Sequence, residues 1–466
     1  MNPWDLTVNL KDVVMDILYL SSFILIGTIL RRYVKFFQTY LIPNNFIAGF
    51  FALAIGSQGL GWVHLDSQRL ILYVYHFLAL TFIALGLRKS KSHHGRGPFS
   101  KSFSALSSYL LQAIIGLSVA LVLFYTLMPD IFPGIGLVLP LGFGMGPGLA
   151  ATLAGSWEKY GFEGGAQVGL TFATIGYAYA FFAGIALINW GIRTGKTTVI
   201  KDIDHLTHEI RIGIQKRGKL PSAGNLTLYT EAIEPLAFHM AAVGFIYLLT
   251  YVIVKGITVM MIAQGWGEFV PTVWSFHFVV GLLLSLIARK ILDVTDKAYL
   301  IDHGLMTRGM GLFLDYLIVG AIAGISTTVI LKYWLPIAIM SLIAGPATLF
   351  MLYYLCKRAF DDHHFERFIE LFGEMTGTIN SALVLLRITD PEFETPVAED
   401  AVVGSGLSLF MGFPLMYALN IPFVHFHNSI QGYWVTLGII AAYWAMLLVL
   451  WKVTGYIRFN PSSSIK

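Results

Sequence analysis

Long apolar stretches follow one another along the whole chain and are separated by short polar segments. Several windows of about 20 residues are nearly free of charge, and this is the length of helix that spans the hydrocarbon core of a bilayer. Such windows lie at 17–30, 103–128, 165–192, 236–254, 317–331, 333–356 and 431–451. The pattern predicts an all-α polytopic membrane protein.

The composition strengthens this prediction. Hydrophobic residues make up 56% of the chain and charged residues 12%, whereas a soluble domain has about 25% charged residues. Asp5, Lys11, Asp12 and Asp16 interrupt the first residues, so we expect the first apolar segment to be kept as a span and not removed as a signal peptide. Cys356 is the only cysteine, which excludes a disulfide within one chain.

The distribution of Lys and Arg predicts the orientation. Basic residues are concentrated in the connections at 31–35, 88–97, 193–220, 288–290 and 356–358. The connections between them, at 61–66, 128–134, 265–271 and 421–429, contain almost none. Because cytoplasmic loops are enriched in Lys and Arg, we expect the amino terminus outside and the carboxyl terminus in the cytoplasm.

This orientation requires two segments that enter the membrane and return to the same side, at about 131–155 and 365–387. The first contains "GFGMGPGLAATLAG" (142–155), in which five glycines and a proline interrupt an apolar run. Irregular backbone at membrane depth is tolerated where protein buries it or where it lines a cavity. We therefore expect two re-entrant hairpins whose tips leave backbone groups free for a ligand.

A weak internal repeat supports the hairpins. When the sequence is shifted by 230 residues, Met145 falls on Met375 and Gly176 on Gly406, without a gap between them. The two halves begin on opposite sides of the membrane, and inverted repeats with broken helices are typical of secondary transporters. The alternative is chance similarity between apolar segments.

Three stretches resemble the bacterial sodium/glutamate symporter family. They are "IPNNFIAGFFALAIG" (42–56), "FIALGL" (82–87), and the glycine hairpin followed by "WEKYGFEGGAQVGLTFATIGYAYAFFAGI" (157–185). The resemblance implies two inverted repeats of five transmembrane helices, each with a re-entrant hairpin, in a homodimer of the bacterial cytoplasmic membrane. It also implies that inward sodium drives the uptake of glutamate.

The implied organisation has four parts. The first repeat covers 1–192, a cytoplasmic linker covers 193–232, and the second repeat covers 233–422. One additional helix and a tail, at 423–466, follow the last segment of the family. The first tip reads "GFGMGPG" (142–148), where the family has glycine-glycine-histidine-glycine-threonine.

The two hairpins supply the candidate binding residues. Helix amino termini present free N–H groups and partial positive charge, which suit a carboxylate, and Arg387 adds a bidentate donor. The expected substrate-binding residues are Gly144, Gly146, Pro147, Gly148, Thr376, Gly377, Thr378 and Arg387. The glycines would let backbone approach the substrate without a Cβ. The alternative is helix capping and close packing by small residues, with Arg387 as one more cytoplasmic basic residue.

Hard neutral oxygens and one carboxylate are candidates for the coupling ion, which we expect to be sodium. The candidate ligands are Asn380, Ser381, Thr171, Thr174 and Asp315. Thr171 and Thr174 recur with Gln167 on one helix face, which would look toward the first hairpin or join two helices. A charge within a span is expensive, so Asp315 is either functional or paired with Arg308.

Other polar residues have simpler interpretations. Asn44 and Asn45 follow Pro43 at a span entrance, where capping is expected. The sequence leaves the role of Glu374 open, and "DDHHFE" (361–366) is expected to be a solvated loop without a metal other than sodium. No motif of a hydrolase or nucleotide-driven pump occurs, so we expect neither an enzyme nor a cofactor.

The sequence thus predicts a sodium-coupled symporter of glutamate or a related acidic amino acid. A proton- or sodium-coupled transporter of another small carboxylate, such as a dicarboxylate, is the alternative. A passive channel is a further alternative. Its filter would normally repeat around a symmetric pore, which one chain with two unequal hairpins does not provide.

Overall fold

Helices form wherever the sequence is continuously apolar, because a backbone in lipid must satisfy its own hydrogen bonds. The computed structural model describes residues 9–88, 96–200, 212–214, 222–267, 270–390 and 394–457. The first half contains α1 (Leu10–Tyr33), α2 (Lys35–Thr39), α3 (Asn44–Ile55), α4 (Ser67–Leu87), α5 (Arg96–Tyr125), α6 (Ile135–Phe143), α7 (Pro147–Ser156), α8 (Gly165–Ala178) and α9 (Gly184–Arg193). A π-helical turn, Tyr179–Ala183, joins α8 to α9.

The second half repeats this succession of long and short helices. It contains α10 (Pro235–Ala263), α11 (Val270–Ser275), α12 (His277–Val294), α13 (His303–Ala323), α14 (Thr327–Ala359), α15 (His364–Met375), α16 (Ile379–Thr389), α17 (Val397–Met411), α18 (Phe413–Val424) and α19 (Ile430–Val453). No strand occurs in the described ranges. Nine helical segments there are long and apolar enough to cross a membrane, which confirms the predicted class of an all-α polytopic membrane protein.

One predicted window does not correspond to a helix. The stretch 317–331 contains the end of α13 at Ala323 and the start of α14 at Thr327. Gly324, a weak helix former, lies at the C-cap of α13, and Ser326 takes an extended conformation (φ −90°, ψ 118°) before α14. The prediction of one span was wrong here because hydropathy alone does not register a glycine-and-serine break.

Two pairs of short helices lie among the long ones. The first pair is α6 with α7, and the second pair is α15 with α16. Each pair is joined by a three-residue tip, Gly144–Gly146 in the first and Thr376–Thr378 in the second. Both boundaries of the second tip follow those of the first by 232 positions, close to the shift of 230 read from the sequence.

The long helix α5 holds the two pairs together. It packs against α6 of the first pair, against α15 of the second, and against α14, α17 and α19. By contrast, α1, α10 and α19 bury only 22% of their most apolar windows, so large side chains such as Leu25, Phe245 and Val449 point outward. The short helix pairs therefore form the interior, and these three helices form part of the rim that faces lipid.

Candidate functional site

The tips of the two short helix pairs meet. Gly146, at the end of the first tip, has φ +88°, a conformation open to glycine, and Pro147 then starts α7 at its first position. A methyl group placed on Gly146 would lie 3.3 Å from Cγ2 of Thr378, which precedes α16. The amino termini of two broken helices therefore approach each other inside the protein.

A cavity of about 260 Å³ opens between the tips. The first tip and the start of α7 line it, as do the second tip and the start of α16. Most of the remaining lining comes from apolar side chains on α4, α13 and α17, among them Leu78, Phe82, Leu314 and Leu409. The lining is thus apolar except near the tips and at a few polar groups.

Among the described residues, two charged side chains line this cavity, Arg88 and Glu374. Arg88 follows the end of α4, and its Nε is buried without a hydrogen-bond partner in the described part of the chain. A buried donor without a partner is unfavourable, and a carboxylate is the natural partner of a guanidinium. Arg88 therefore brings a guanidinium with one unsatisfied donor to the cavity wall.

Glu374 is, by contrast, already engaged. Its Oε2 lies 2.6 Å from Nζ of Lys101 on α5, and both side chains are almost fully buried. Its Oε1 accepts a hydrogen bond of 2.8 Å from the hydroxyl of Ser405 on α17, which also lines the cavity. The positive charge of Arg88 is consequently not neutralised by Glu374.

Neighbouring helices hold the second tip in place. Nε2 of Gln112 on α5 donates to the carbonyl of Met375 (2.9 Å) and to the hydroxyl of Thr348 on α14 (3.1 Å). The hydroxyl of Tyr177 on α8 lies 3.5 Å from Oγ1 of Thr378. Polar contacts from α5 and α8 thus position this tip, and α14 holds Gln112 in place.

Seven of the predicted site residues line the cavity together: Gly144, Gly146, Pro147, Gly148, Gly377, Thr378 and Asn380. The reason why glycine is needed at these positions differs from the expected approach of backbone to the substrate. A methyl group on Gly144 would come within 2.6 Å of the Tyr109 ring, and one on Gly148 within 2.7 Å of Leu78. These glycines allow close helix packing around the cavity, and Gly146 also allows the positive φ.

Four other predicted residues have hydroxyl groups that lie outside the lining. Thr376 donates to the carbonyl of Phe372, Thr171 to that of Gln167 and Thr174 to that of Leu170, so each hydroxyl bonds within its own helix. Ser381 is buried beside Gly377. Serine and threonine hydroxyls in apolar helices commonly donate a hydrogen bond to the carbonyl of the preceding turn.

Asp315 lies in the middle of α13, as expected, but its partner was not foreseen. Its Oδ1 accepts a hydrogen bond of 2.7 Å from Nδ2 of Asn45, so pairing with Arg308 is not the arrangement that forms. Asn44 donates to Thr28, and α3 has no side-chain cap, so the capping interpretation of Asn44 and Asn45 was wrong. Both amides instead join α3 to neighbouring helices.

Arg387 is exposed in the last turn of α16 and does not line the cavity. In the "DDHHFE" segment, Asp362 pairs with Arg367 (2.8 Å), His363 bonds to Thr198, and His364 bonds to the carbonyl of Cys356. Within the described ranges, no three His, Cys, Asp or Glu side chains are grouped to hold a metal ion.

Sequence reasoning missed Arg88, Tyr109, Lys101 and Ser405. Arg88 was counted among the basic residues of a cytoplasmic connection, and Lys101 precedes the charge-free window at 103–128. The sequence did contain an indication that Lys101 is buried. It lies in a serine-rich stretch (100–108), and small polar residues of this kind suggest a helix face packed against other helices.

No protein-family model matches the sequence, no curated protein matches it, and no solved structure matches the fold.

Proposed function

We propose that this chain is a secondary active transporter that carries a small carboxylate across the membrane together with a coupling ion. The substrate class that the resemblance implies is glutamate or a related acidic amino acid, and the implied ion is sodium. The observation that carries the proposal is the meeting of two broken helices, by their amino termini, at one cavity that also contains Arg88.

The cavity suits an anion for two physical reasons. The amino termini of α7 and α16 carry partial positive charge and N–H groups without a helical partner. Arg88 adds a full charge whose Nε has no partner in the described part of the chain. Together these groups favour a carboxylate at the cavity wall between the tips.

The second tip offers ligands for the ion. The Thr378 hydroxyl and the Asn380 amide at the start of α16 line the cavity. Hard neutral oxygens of this kind suit sodium. The ion and the substrate would thus share one site, which is the simplest basis for coupled transport.

We further propose that the chain is two inverted repeats. The order of long helices and short pairs is the same in both halves. Two repeats of five spans with one additional helix, as the resemblance implies, would count the 12-residue α3 and the 18-residue α12 as spans besides the nine long segments of the described chain. In the predicted orientation, the first helix pair enters the membrane from the outer side and the second helix pair enters from the cytoplasmic side. The family resemblance adds a homodimer in the bacterial cytoplasmic membrane.

A proton-coupled carrier of another carboxylate, such as a dicarboxylate, is the second candidate. The presence of Glu374 in the lining favours it, because a buried carboxylate at a transport cavity is suited to carry a proton. A passive channel has less support, since the cavity is bounded by two unlike tips of one chain instead of a symmetric ring.

Uptake of labelled glutamate into proteoliposomes, with sodium or potassium outside, tests the proposal. We expect glutamate to accumulate above the external concentration when sodium is outside, and accumulation to collapse when a sodium ionophore is added. Equal accumulation with either cation would reject sodium coupling. Uptake that never exceeds equilibrium would identify a channel.

The orientation has its own test. On a Cys356→Ala background, a cysteine at exposed Lys159, next to the first pair, should react with an impermeant reagent from outside. A cysteine at exposed Glu394, next to the second pair, should react from inside. Labelling of both positions from the same side would reject the inverted repeat.

A further inference from the structure

The second helix pair contains two buried carboxyl groups one helical turn apart. Glu370 and Glu374 lie four positions apart on α15, which places them on the same helix face, and they are 1% and 5% exposed. Oε1 of Glu370 has no hydrogen-bond partner among the described residues. A buried carboxylate without a donor or a cation is strongly disfavoured, so each of the two groups requires a cation, a donor or a proton.

The charges around the pair do not remove this requirement. The charged and titratable groups nearby are Lys101 and Tyr109 on α5, Cys356 on α14, Glu366 and Arg367 on α15 and Asp400 on α17. Glu366 is buried one turn before Glu370, and its Oε1 accepts a hydrogen bond of 2.6 Å from the backbone N–H of Thr198. Arg367 is paired at 2.8 Å with both Asp362 and Asp400, so these carboxylates already neutralise its charge. Among the described residues, Lys101 is left as the cation for both Glu370 and Glu374.

Lys101 can neutralise one carboxylate but not both. It lies 2.6 Å from Glu374 and donates to Ser405 at 2.5 Å, and Ser405 in turn donates to Glu374. Two ionised carboxylates close together inside a protein repel each other strongly, and such pairs share a proton. Because Lys101 pairs with Glu374, the second carboxyl group requires a proton.

We infer that Lys101, Glu370 and Glu374 form a proton-binding site that opens onto the cavity, so that a proton takes part in coupling. Glu374 lines the cavity, whereas Glu370 lies behind it. A proton from cavity water would bind the Glu374 carboxylate and pass to the carboxyl group of Glu370, one helical turn away. The coupling part of this inference rests on the proposed transport function; the proton site itself does not.

The direction of the linkage follows from charge. A substrate carboxylate in the cavity lies near Glu374 and disfavours the ionised form of the pair, so substrate and proton promote each other's binding. Because such linkage is reciprocal, the substrate binds more tightly as the pH falls. If one proton accompanies one substrate, the apparent affinity changes by up to about tenfold for each pH unit.

Infrared difference spectroscopy of the purified protein tests the site without any substrate. We expect the carbonyl stretch of a protonated carboxylic acid in the wild type at neutral pH. Glu370→Gln and Glu374→Gln should each lose the intensity of one acid, because the remaining glutamate then pairs with Lys101 as a carboxylate. Glu163→Gln is the matched control, since Glu163 is exposed beside Lys332, in the connection between α7 and α8, and should leave that intensity unchanged.

The opposite change provides a second variant. Lys101→Met removes the cation, so we expect the pair to take up a second proton and the acid band to gain intensity. Retention of the full wild-type band in both glutamine variants would overturn the proton site. Where Glu370→Gln does not give monodisperse protein, Glu370→Asp should keep the band at a shifted frequency.

Uptake of labelled glutamate at different external pH values then tests the coupling. We expect acid outside to accelerate wild-type uptake and Glu374→Gln to be insensitive to the pH gradient. A pH response in Glu374→Gln equal to that of the wild type would overturn the coupling role. Absence of glutamate uptake at every pH would reject the substrate proposed above, and the infrared band alone would then decide on the proton site.

Discussion

Between Ile135 and Ser156, the first helix pair contains no charged residue, whereas the second pair, His364–Thr389, contains Glu366, Arg367, Glu370, Glu374 and Arg387. The first helix of each pair is nevertheless buried: every residue of α6 is buried, and so is every residue of α15 after His364. The same architectural element is therefore stabilised in two chemically different ways.

This difference in stabilisation suits the two helix pairs to different roles in binding. Apolar packing is non-directional and does not depend on the charge of a ligand, so the first pair is suited to be a fixed wall that presents helix N–H groups. The second pair is held by hydrogen bonds and ion pairs whose strength depends on local charge. A bound anion or proton would therefore act first on the second pair.

The largest expected difference between the pairs concerns their stability. Arg367→Gln leaves Asp400 buried without its cation and should lower the free energy of unfolding by about 3–5 kcal/mol. In the first pair, Thr152→Val removes a buried hydroxyl that has no partner in the described part of the chain. It should be neutral or stabilising by up to about 1 kcal/mol. Thermal unfolding of both purified variants measures the contrast, and equal losses would refute it.

Arg88→Gln should weaken substrate binding next most strongly. Hydrogen bonds to a charged group are worth about 1.5–3 kcal/mol, which corresponds to a loss of affinity of about 10- to 100-fold. Arg193→Gln is the control, because Arg193 is an exposed basic residue at the end of α9. Equilibrium binding of labelled glutamate reports the effect, and an unchanged affinity in Arg88→Gln would remove Arg88 from the site.

A single methyl group at the first tip should also reduce transport. Gly146→Ala forces a side chain into a conformation reserved for glycine, at about 1–3 kcal/mol, and presses it against Thr378. Gly161→Ala also places a side chain at a positive φ (+96°), in the less strained left-handed region (ψ 10°), and meets no atom within 4 Å. We expect uptake to fall in Gly146→Ala alone; a similar fall in both variants would point to strain and not to the meeting of the tips.

The smallest expected effect separates two threonines of the second tip. Thr378→Val deletes a hydroxyl at the cavity and should reduce affinity for sodium or substrate by about 2- to 10-fold, the net value of one hydrogen bond. Thr376→Val deletes a hydroxyl that bonds to Phe372 and should leave affinity unchanged. Affinities that change together in the two variants would contradict the assignment of Thr378 to the site.

Much of the fold could be predicted because a bilayer limits the choices of the chain. Apolar windows become helices, and the glycine-rich stretch at 142–155 and "TGTINS" at 376–381 coincide with the breaks in the two short helix pairs. The break at Gly324 was not predicted, because the apolar end of α13 and the apolar start of α14 form one continuous hydropathy window.

The site could be predicted only in part, because the sequence does not show where a hydroxyl or charged side chain points in the folded protein. Thr171 and Thr378 look alike in the chain, yet the first bonds to its own helix and the second faces the cavity. Lys101 and Glu374 are 273 positions apart, and their contact depends on how α5 packs against α15. Such long-range pairs follow from tertiary packing, which periodicity does not specify.

Protection of thiols at both tips tests most directly whether the tips form one site. On a Cys356→Ala background, Met145→Cys reports on the first tip, Ile379→Cys on the start of α16, and Lys159→Cys on an exposed position elsewhere. A small water-soluble thiol reagent would be applied over a range of glutamate concentrations in sodium. We predict that glutamate protects Met145→Cys and Ile379→Cys with the same midpoint and leaves Lys159→Cys reactive. Protection of one tip without the other, in variants that still take up glutamate, would contradict a single site shared by the two tips.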